Sequence, residues 1–277
     1  MDFLIFILKA LDIQMTKPEM FGAFHILWLF ITLAFTVFFC LLSKKKNEKT
    51  THRIVFYTAI LVTVLEIYKQ INYTFTVENG TIESDFQWYA FPFQFCSMPM
   101  YVGLLYGIIR NERIKNSLLA FLATYGLFAG ICVMLYPSTV FIGTVGINIQ
   151  TMICHGSMVA VGVYLLYSRS VPLNHKTILY AVPVFAIAVA MASVMNEIAY
   201  FSGLLERETF NMFFISPHCE PSLPVYSAVQ GVVPFPFCLI LYIAGFSAAS
   251  YLILLIAMLI NKISSHLRAS KKEKIRV

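Results

Sequence analysis

Apolar residues fall in long unbroken runs separated by short polar stretches, unlike the i, i+3, i+4 stripes of helices that bury one face in a soluble core. About 20 mostly apolar residues cross a hydrocarbon layer of roughly 30 Å. Seven runs reach that length, at approximately 21–43, 53–76, 87–109, 117–136, 148–168, 177–201 and 235–261. The pattern predicts an all-α, polytopic membrane helix bundle with seven transmembrane helices, forming a single transmembrane domain over 1–277. The run Phe3 to Leu8 is too short to span. It follows Asp2 instead of a basic stretch and precedes no small-residue cleavage site, so it reads as part of an interfacial segment over 1–20 and not as a signal peptide.

Composition excludes the soluble alternatives. Of 277 residues, 59% are apolar and 12% charged, where soluble domains carry about 25% charged residues. A soluble core of this size has no room for so much apolar surface. The few charges are sorted by side. Lys44, Lys45, Lys46, Lys49 and Arg53 follow the first run, Arg110, Arg113 and Lys115 the third, and Arg169 and Lys176 the fifth. The tail 262–277 adds Lys262, Arg268, Lys271, Lys272, Lys274 and Arg276, so 16 of the 20 basic residues share one side. The other side holds Lys9, Lys17 and Arg207, the acidic stretch Val77 to Asp85 and the segment Glu206 to Glu220. The excess of lysine and arginine in cytoplasmic loops then puts the N-terminus outside and the C-terminus, with its basic tail, in the cytoplasm. The net charge of +6 reads as topology anchoring, not as a nucleic-acid surface.

Two sequons, at Asn72 and Asn79, lie on the outer side and matter only where the host glycosylates. The six cysteines are scattered, with no CxxC pair and no zinc spacing. No Walker loop, GxGxxG, HExxH or GxSxG motif is present, and no cofactor is implied.

Ionisable residues inside spans are expensive and mark function. His25, Glu66, Lys69, Gln94, Cys96, Gln150, Cys154, His155, Asn196 and Glu197 all fall in the outer half of their spans at 1.5 Å per residue. One polar chamber open toward the outer leaflet would explain this. Blander readings exist: Glu66 and Lys69 can neutralise one another at i, i+3, His25 can sit in an aromatic belt, and Asn196-Glu197 can cap a helix end. A metal held by His25, Glu66, His155 and Glu197 lacks the i, i+4 spacing that makes one helix bidentate, and is not favoured. A thiol with a partner imidazole fits better. Cys96 and His155 lie at similar depth on helices running the same way; depth alone does not settle which cysteine meets His155. Cys154 is disfavoured because helix neighbours point about 100° apart.

Phe24-His25-Ile26-Leu27-Trp28, Glu66, Pro92-Phe93-Gln94-Phe95-Cys96-Ser97-Met98-Pro99, Cys154-His155-Gly156 and Val233-Pro234-Phe235-Pro236-Phe237 together resemble the YwaF-like integral membrane proteins. That family looks related to eukaryotic transmembrane Cys/His phospholipid acyltransferases and, more remotely, to androgen-induced transmembrane hydrolases that use threonine and histidine. The resemblance implies a nucleophile at Cys96, a base at His155 and a bacterial cell membrane, although fold transfers more safely than chemistry.

The leading reading is a lipid-modifying enzyme performing acyl transfer or ester hydrolysis on a phospholipid or lysophospholipid at the outer leaflet. His25, Glu66, Lys69, Gln94 and Asn196 would support the site, with Gln94, Asn196 and Lys69 as candidate oxyanion donors. The alternative is a small-molecule transporter or seven-helix receptor using the same cavity. Confinement of the polar residues to one side leaves a carrier no second gate.

Overall fold

The computed structural model describes residues 2–42, 45–203, 210–220 and 223–276; Lys44, Glu206 and Arg207 lie outside the described residues. A short helix, α1 (Asp2–Leu11), precedes α2 (Ala23–Leu42) and the 27-residue α3 (Glu48–Thr74). Asn47 caps α3 by accepting a hydrogen bond from the Thr50 N–H at 3.0 Å, the usual way of satisfying an orphan donor. α3 runs into a hairpin of β1 (Phe75–Glu78) and β2 (Thr81–Ser84), paired antiparallel. Its turn holds Asn79 and Gly80 at positive φ, where Asn-Gly matches the strand twist. There follow α4 (Met98–Ile108), α5 (Glu112–Phe121), α6 (Leu127–Leu135), α7 (Val145–Tyr167), α8 (Lys176–Phe201), the single turn α9 (Pro224–Ser227) and α10 (Phe235–Arg276).

Among the described residues, six helices are long and apolar enough to cross a membrane: α2, α3, the Glu112–Leu135 rod, α7, α8 and α10. The expected third span, 87–109, differs. Pro92 keeps Phe91 extended (φ −50°, ψ 135°), as a residue before proline must be. Helix begins only at Phe95 and ends at Ile108, a rise of about 20 Å. Pro99 falls in the first turn of α4, where its missing N–H is harmless. An irregular stretch plus a short helix therefore replaces the expected full-length one.

Burial separates centre from rim. In α7 and in the Glu112–Leu135 rod, 72% of the most apolar stretch is buried inside the protein, against 11% in α2 and in α10. α2 turns Phe30, Leu33, Phe38 and Leu41 outward, an apolar exterior that only lipid tolerates. Small residues let the central helices touch. A Cβ on Gly103 would stand 2.7 Å from Ala59, one on Gly130 2.8 Å from Met158, and one on Gly162 2.6 Å from Leu127. Between α5 and α6 the rod loosens into five buried π-helical residues, Leu122–Gly126, a local widening frequent at functional sites.

At one end of the bundle Lys46, Glu48, Glu112, Lys115 and Ser170 line a common small pocket, so the three basic loops grouped by sequence meet there. Beneath it Thr51 bridges Tyr164 (3.1 Å) and Ser170 (2.8 Å) through their hydroxyls. At the other end the segment after α1 is sewn to the start of α7. The Met15 N–H donates to the Gly143 carbonyl at 2.7 Å and the Val145 N–H to the Ile13 carbonyl at 2.9 Å, while the Tyr68 hydroxyl donates to the Leu11 carbonyl.

Candidate active site

The polar residues singled out from sequence do not form a single chamber. They occupy distinct settings, and each follows from what its neighbours leave unsatisfied.

His25 is completely buried and both ring nitrogens are used. Nδ1 accepts from the Phe21 N–H at 2.9 Å, and Nε2 lies 2.8 Å from the Met134 carbonyl, to which it must donate. The ring thereby fastens the start of α2 to the end of α6. Glu197 pairs with His218 at 3.0 Å, and that imidazole stacks on Tyr200 with ring centroids 3.6 Å apart. Among the described residues, no group of three or more His, Cys, Asp or Glu comes together to hold a metal ion.

Gln94 and Asn196 hold a plug. The Asn196 amide accepts from the Met212 N–H at 2.7 Å and donates to the Met212 carbonyl at 3.0 Å. Gln94 accepts from the Phe213 N–H at 2.9 Å and donates to the Asn211 carbonyl at 3.0 Å. Tyr242 adds a bond to the Phe213 carbonyl at 3.0 Å. Together they force Phe213 (φ 58°) and Phe214 (φ 57°) into the left-handed region, a conformation that bulky residues adopt only when the surroundings over-determine it. Met212, Phe213 and Ile215 are fully buried. The Phe213 ring lies 6.0 Å from those of Phe93 and Phe95, so the plug covers the residues leading into Cys96. Asn196→Ala removes two buried bonds worth about 1 kcal/mol each and orphans the Met212 peptide groups. The buried Cys219 thiol beyond the plug is then expected to react with a maleimide about tenfold faster. Unchanged labelling would mean that the plug is held elsewhere.

Of the remaining residues, Cys96 and Cys154 line one cavity, which His155 does not line. Glu66 and Lys69 form an ion pair at 2.8 Å, and Gln70 donates to the same Glu66 oxygen at 2.9 Å and to the Ala90 carbonyl. Cys96 is exposed and lines a narrow cavity of about 30 Å³. Cys154, Ser157, Pro99 and Gly126 line the same cavity, so the π-helical widening forms part of its wall. Cys154 is buried and accepts from the Gln150 amide at 3.3 Å.

Among the described residues, His155, Gln230 and Ser250 each carry a buried polar side-chain atom without a hydrogen-bond partner, against the rule that such atoms are paired. The Nδ1 of His155 lies 2.8 Å from the Thr151 carbonyl; a carbonyl only accepts, so the proton resides on Nδ1. The buried Nε2 then carries the free lone pair, and it has no hydrogen-bond partner. Such a ring is fixed in one tautomer and stripped of a partner on its basic side.

A family model matches residues 20–264, nearly the whole membrane region. The chain belongs to the TMEM164 family. It is therefore a protein of a transmembrane family, in agreement with its six long apolar helices. Neither the curated proteins nor the solved structures yielded a match. Within this TMEM164-family chain, Cys96 and the His155 motif both fall inside the matched region. Sequence reasoning did not find Ser157, Thr58 or the π-helical Gly126. Ser157 donates to the Cys154 carbonyl at 2.7 Å, and its one sequence signal is its place two residues beyond His155, at the end of the polar first half of α7.

Proposed function

We propose that the chain is a Cys/His-dependent lipid enzyme that transfers or hydrolyses phospholipid acyl groups. The observation that carries this reading is the buried, unpartnered Nε2 of His155. In a structural histidine both nitrogens are occupied, as in His25; a general base needs one nitrogen free. In the proposed step, His155 Nε2 takes the Cys96 thiol proton as sulfur attacks an ester carbonyl. The C–S bond forms, the C–O bond to glycerol breaks, and the lysolipid oxygen leaves with the proton from His155. The acyl group then passes from the thioester to a lysolipid hydroxyl or to water. Lys69, held by Glu66, would supply the cation for this chemistry. The likeness of the Pro92–Pro99 and Cys154–Gly156 motifs to those of the YwaF-like integral membrane proteins, a family that looks related to Cys/His phospholipid acyltransferases, supports the assignment.

The same reading places the N-terminus outside and the C-terminus in the cytoplasm of a bacterial cell membrane, with residues 1–20 interfacial and 262–277 a basic tail. Gathering of the basic loops around Lys46, Lys115 and Ser170 supports that orientation.

The test is a covalent intermediate. The full-length protein, incubated with a phospholipid bearing a deuterated acyl chain, is expected to gain the mass of that chain on the Cys96 peptide. Hydroxylamine should release it, and Cys96→Ser should abolish the hydroxylamine-labile adduct. A wild-type protein that acquires no adduct and leaves the lipid profile unchanged would overturn the proposal.

A further inference from the structure

Three cavities adjoin along the bundle. The Cys96 cavity shares Met100 with a groove of about 400 Å³ between α3 and α4, which Glu66 and Gln70 line. On its other side it shares Thr58 and Ser157 with a slot of about 230 Å³ between α2, α3 and α7. Apart from the hydroxyls of Thr32, Thr58 and Ser157, this slot is apolar, with walls that include Trp28, Phe35, Phe39, Leu61 and Met152.

The 210–216 plug packs on Phe93 and Phe95, the residues before Cys96, and two of the helices that form the slot, α2 and α3, turn apolar side chains to the exterior. A guest can therefore enter the slot from the hydrocarbon. We propose that this slot is the acyl-chain site, seating one fatty acyl chain of a membrane glycerolipid with its carbonyl toward Thr58 and Ser157, beside Cys96. The inference rests on the acyl-transfer reading for its direction, though not for its chemistry of binding.

Size and polarity agree with one chain. A methylene fills about the space of a water molecule, roughly 30 Å³, so the slot takes about eight carbons and leaves the rest of a long chain in the bilayer. The hydroxyls of Thr58 and Ser157 occur only at the junction with the Cys96 cavity, where the polar end of the guest would stop. Gly156 permits the close approach of α2 to α7 at the slot wall: a Cβ there would stand 2.5 Å from the Thr32 hydroxyl.

The test uses the full-length protein in phosphatidylcholine nanodiscs containing a trace of phosphatidylcholine with a diazirine midway along one chain. A second probe carries the diazirine at the chain terminus. On irradiation, the mid-chain probe should label Met152 and Ile153, and the terminal probe should label mainly the lipid-facing side chains of α2. Ile153→Trp fills the slot and should cut mid-chain labelling of Met152 about tenfold, with labelling of the lipid-facing Ile187 unchanged. Phe39→Ala lengthens the slot at its Ala160 end and should bring the terminal probe onto Ala160. Labelling confined to exterior residues, or indifferent to both substitutions, overturns the inference. Slot labelling without a Cys96 adduct would leave the chain site standing and remove acyl transfer; an adduct without slot labelling would do the reverse.

Discussion

Replacing Gly130 with alanine is expected to lower the thermal midpoint of the protein by about 2–4 °C. The added methyl would sit 2.8 Å from the Met158 Cβ, 2.9 Å from the His155 carbonyl oxygen and 3.1 Å from the Val159 nitrogen. Two of those atoms are backbone, so no side chain can rotate away to relieve the contact. α6 must instead separate from α7, the most buried helix pairing in the molecule. Overpacking of this kind costs typically 1–3 kcal/mol, which outweighs the roughly 1 kcal/mol that alanine gains over glycine in a helix. Gly245→Ala is the control, because nothing lies within 4 Å of its would-be Cβ; there only the helix-propensity gain acts, and the midpoint should hold or rise. The measurement is thermal unfolding of both variants in detergent. A Gly130→Ala midpoint equal to wild type would mean that α6 and α7 are not held at this spacing. Because the contact falls on the carbonyl of His155, the substitution should also displace the imidazole.

How far these features could be read from the chain depends on where the deciding partner lies. α2, α8 and α10 were legible because lipid-facing helices announce themselves by composition alone. The shortness of α4 was signalled by Pro92 and Pro99, but an apolar window counts proline-broken and helical stretches alike. The π-helical Leu122–Gly126 left no trace, since the backbone flanking it is ordinary right-handed helix and no proline or glycine pair marks the change of pitch. The plug was illegible for a stronger reason. Phe213 and Phe214 take a conformation that their own propensities oppose, imposed by Gln94, more than a hundred residues earlier, and by Asn196 and Tyr242. Gln94 and Asn196 were visible as costly buried amides, but whether an amide serves a substrate or a neighbouring peptide is decided by that distant partner. His25 and His155 were equally conspicuous in sequence. Only the hydrogen bonds distinguish a ring with both nitrogens engaged from one with a bare Nε2.

That difference gives the largest expected effect on activity. On the proposed acyl-transfer reading, His155→Asn should reduce that activity about a hundredfold to ten-thousandfold, the contribution usual for a positioned general base, while the fold survives. The asparagine amide can still donate to the Thr151 carbonyl in place of Nδ1, so the local bond is kept, but nothing remains at the position of Nε2. Stability should change little, because wild type already carries the burden of a buried acceptor without a donor, a penalty of about 1–3 kcal/mol. His155→Leu removes that penalty and should leave the thermal midpoint equal to or above wild type with activity equally lost, as expected where a strained or unsatisfied group is kept for function. His25→Leu should behave in the opposite way. It orphans the Phe21 N–H and the Met134 carbonyl, so the midpoint should fall. Thermal unfolding and acyl-transfer assays on the three variants separate the roles. If His155→Leu destabilised the protein as much as His25→Leu, His155 would be a structural histidine and its free nitrogen would have no catalytic meaning.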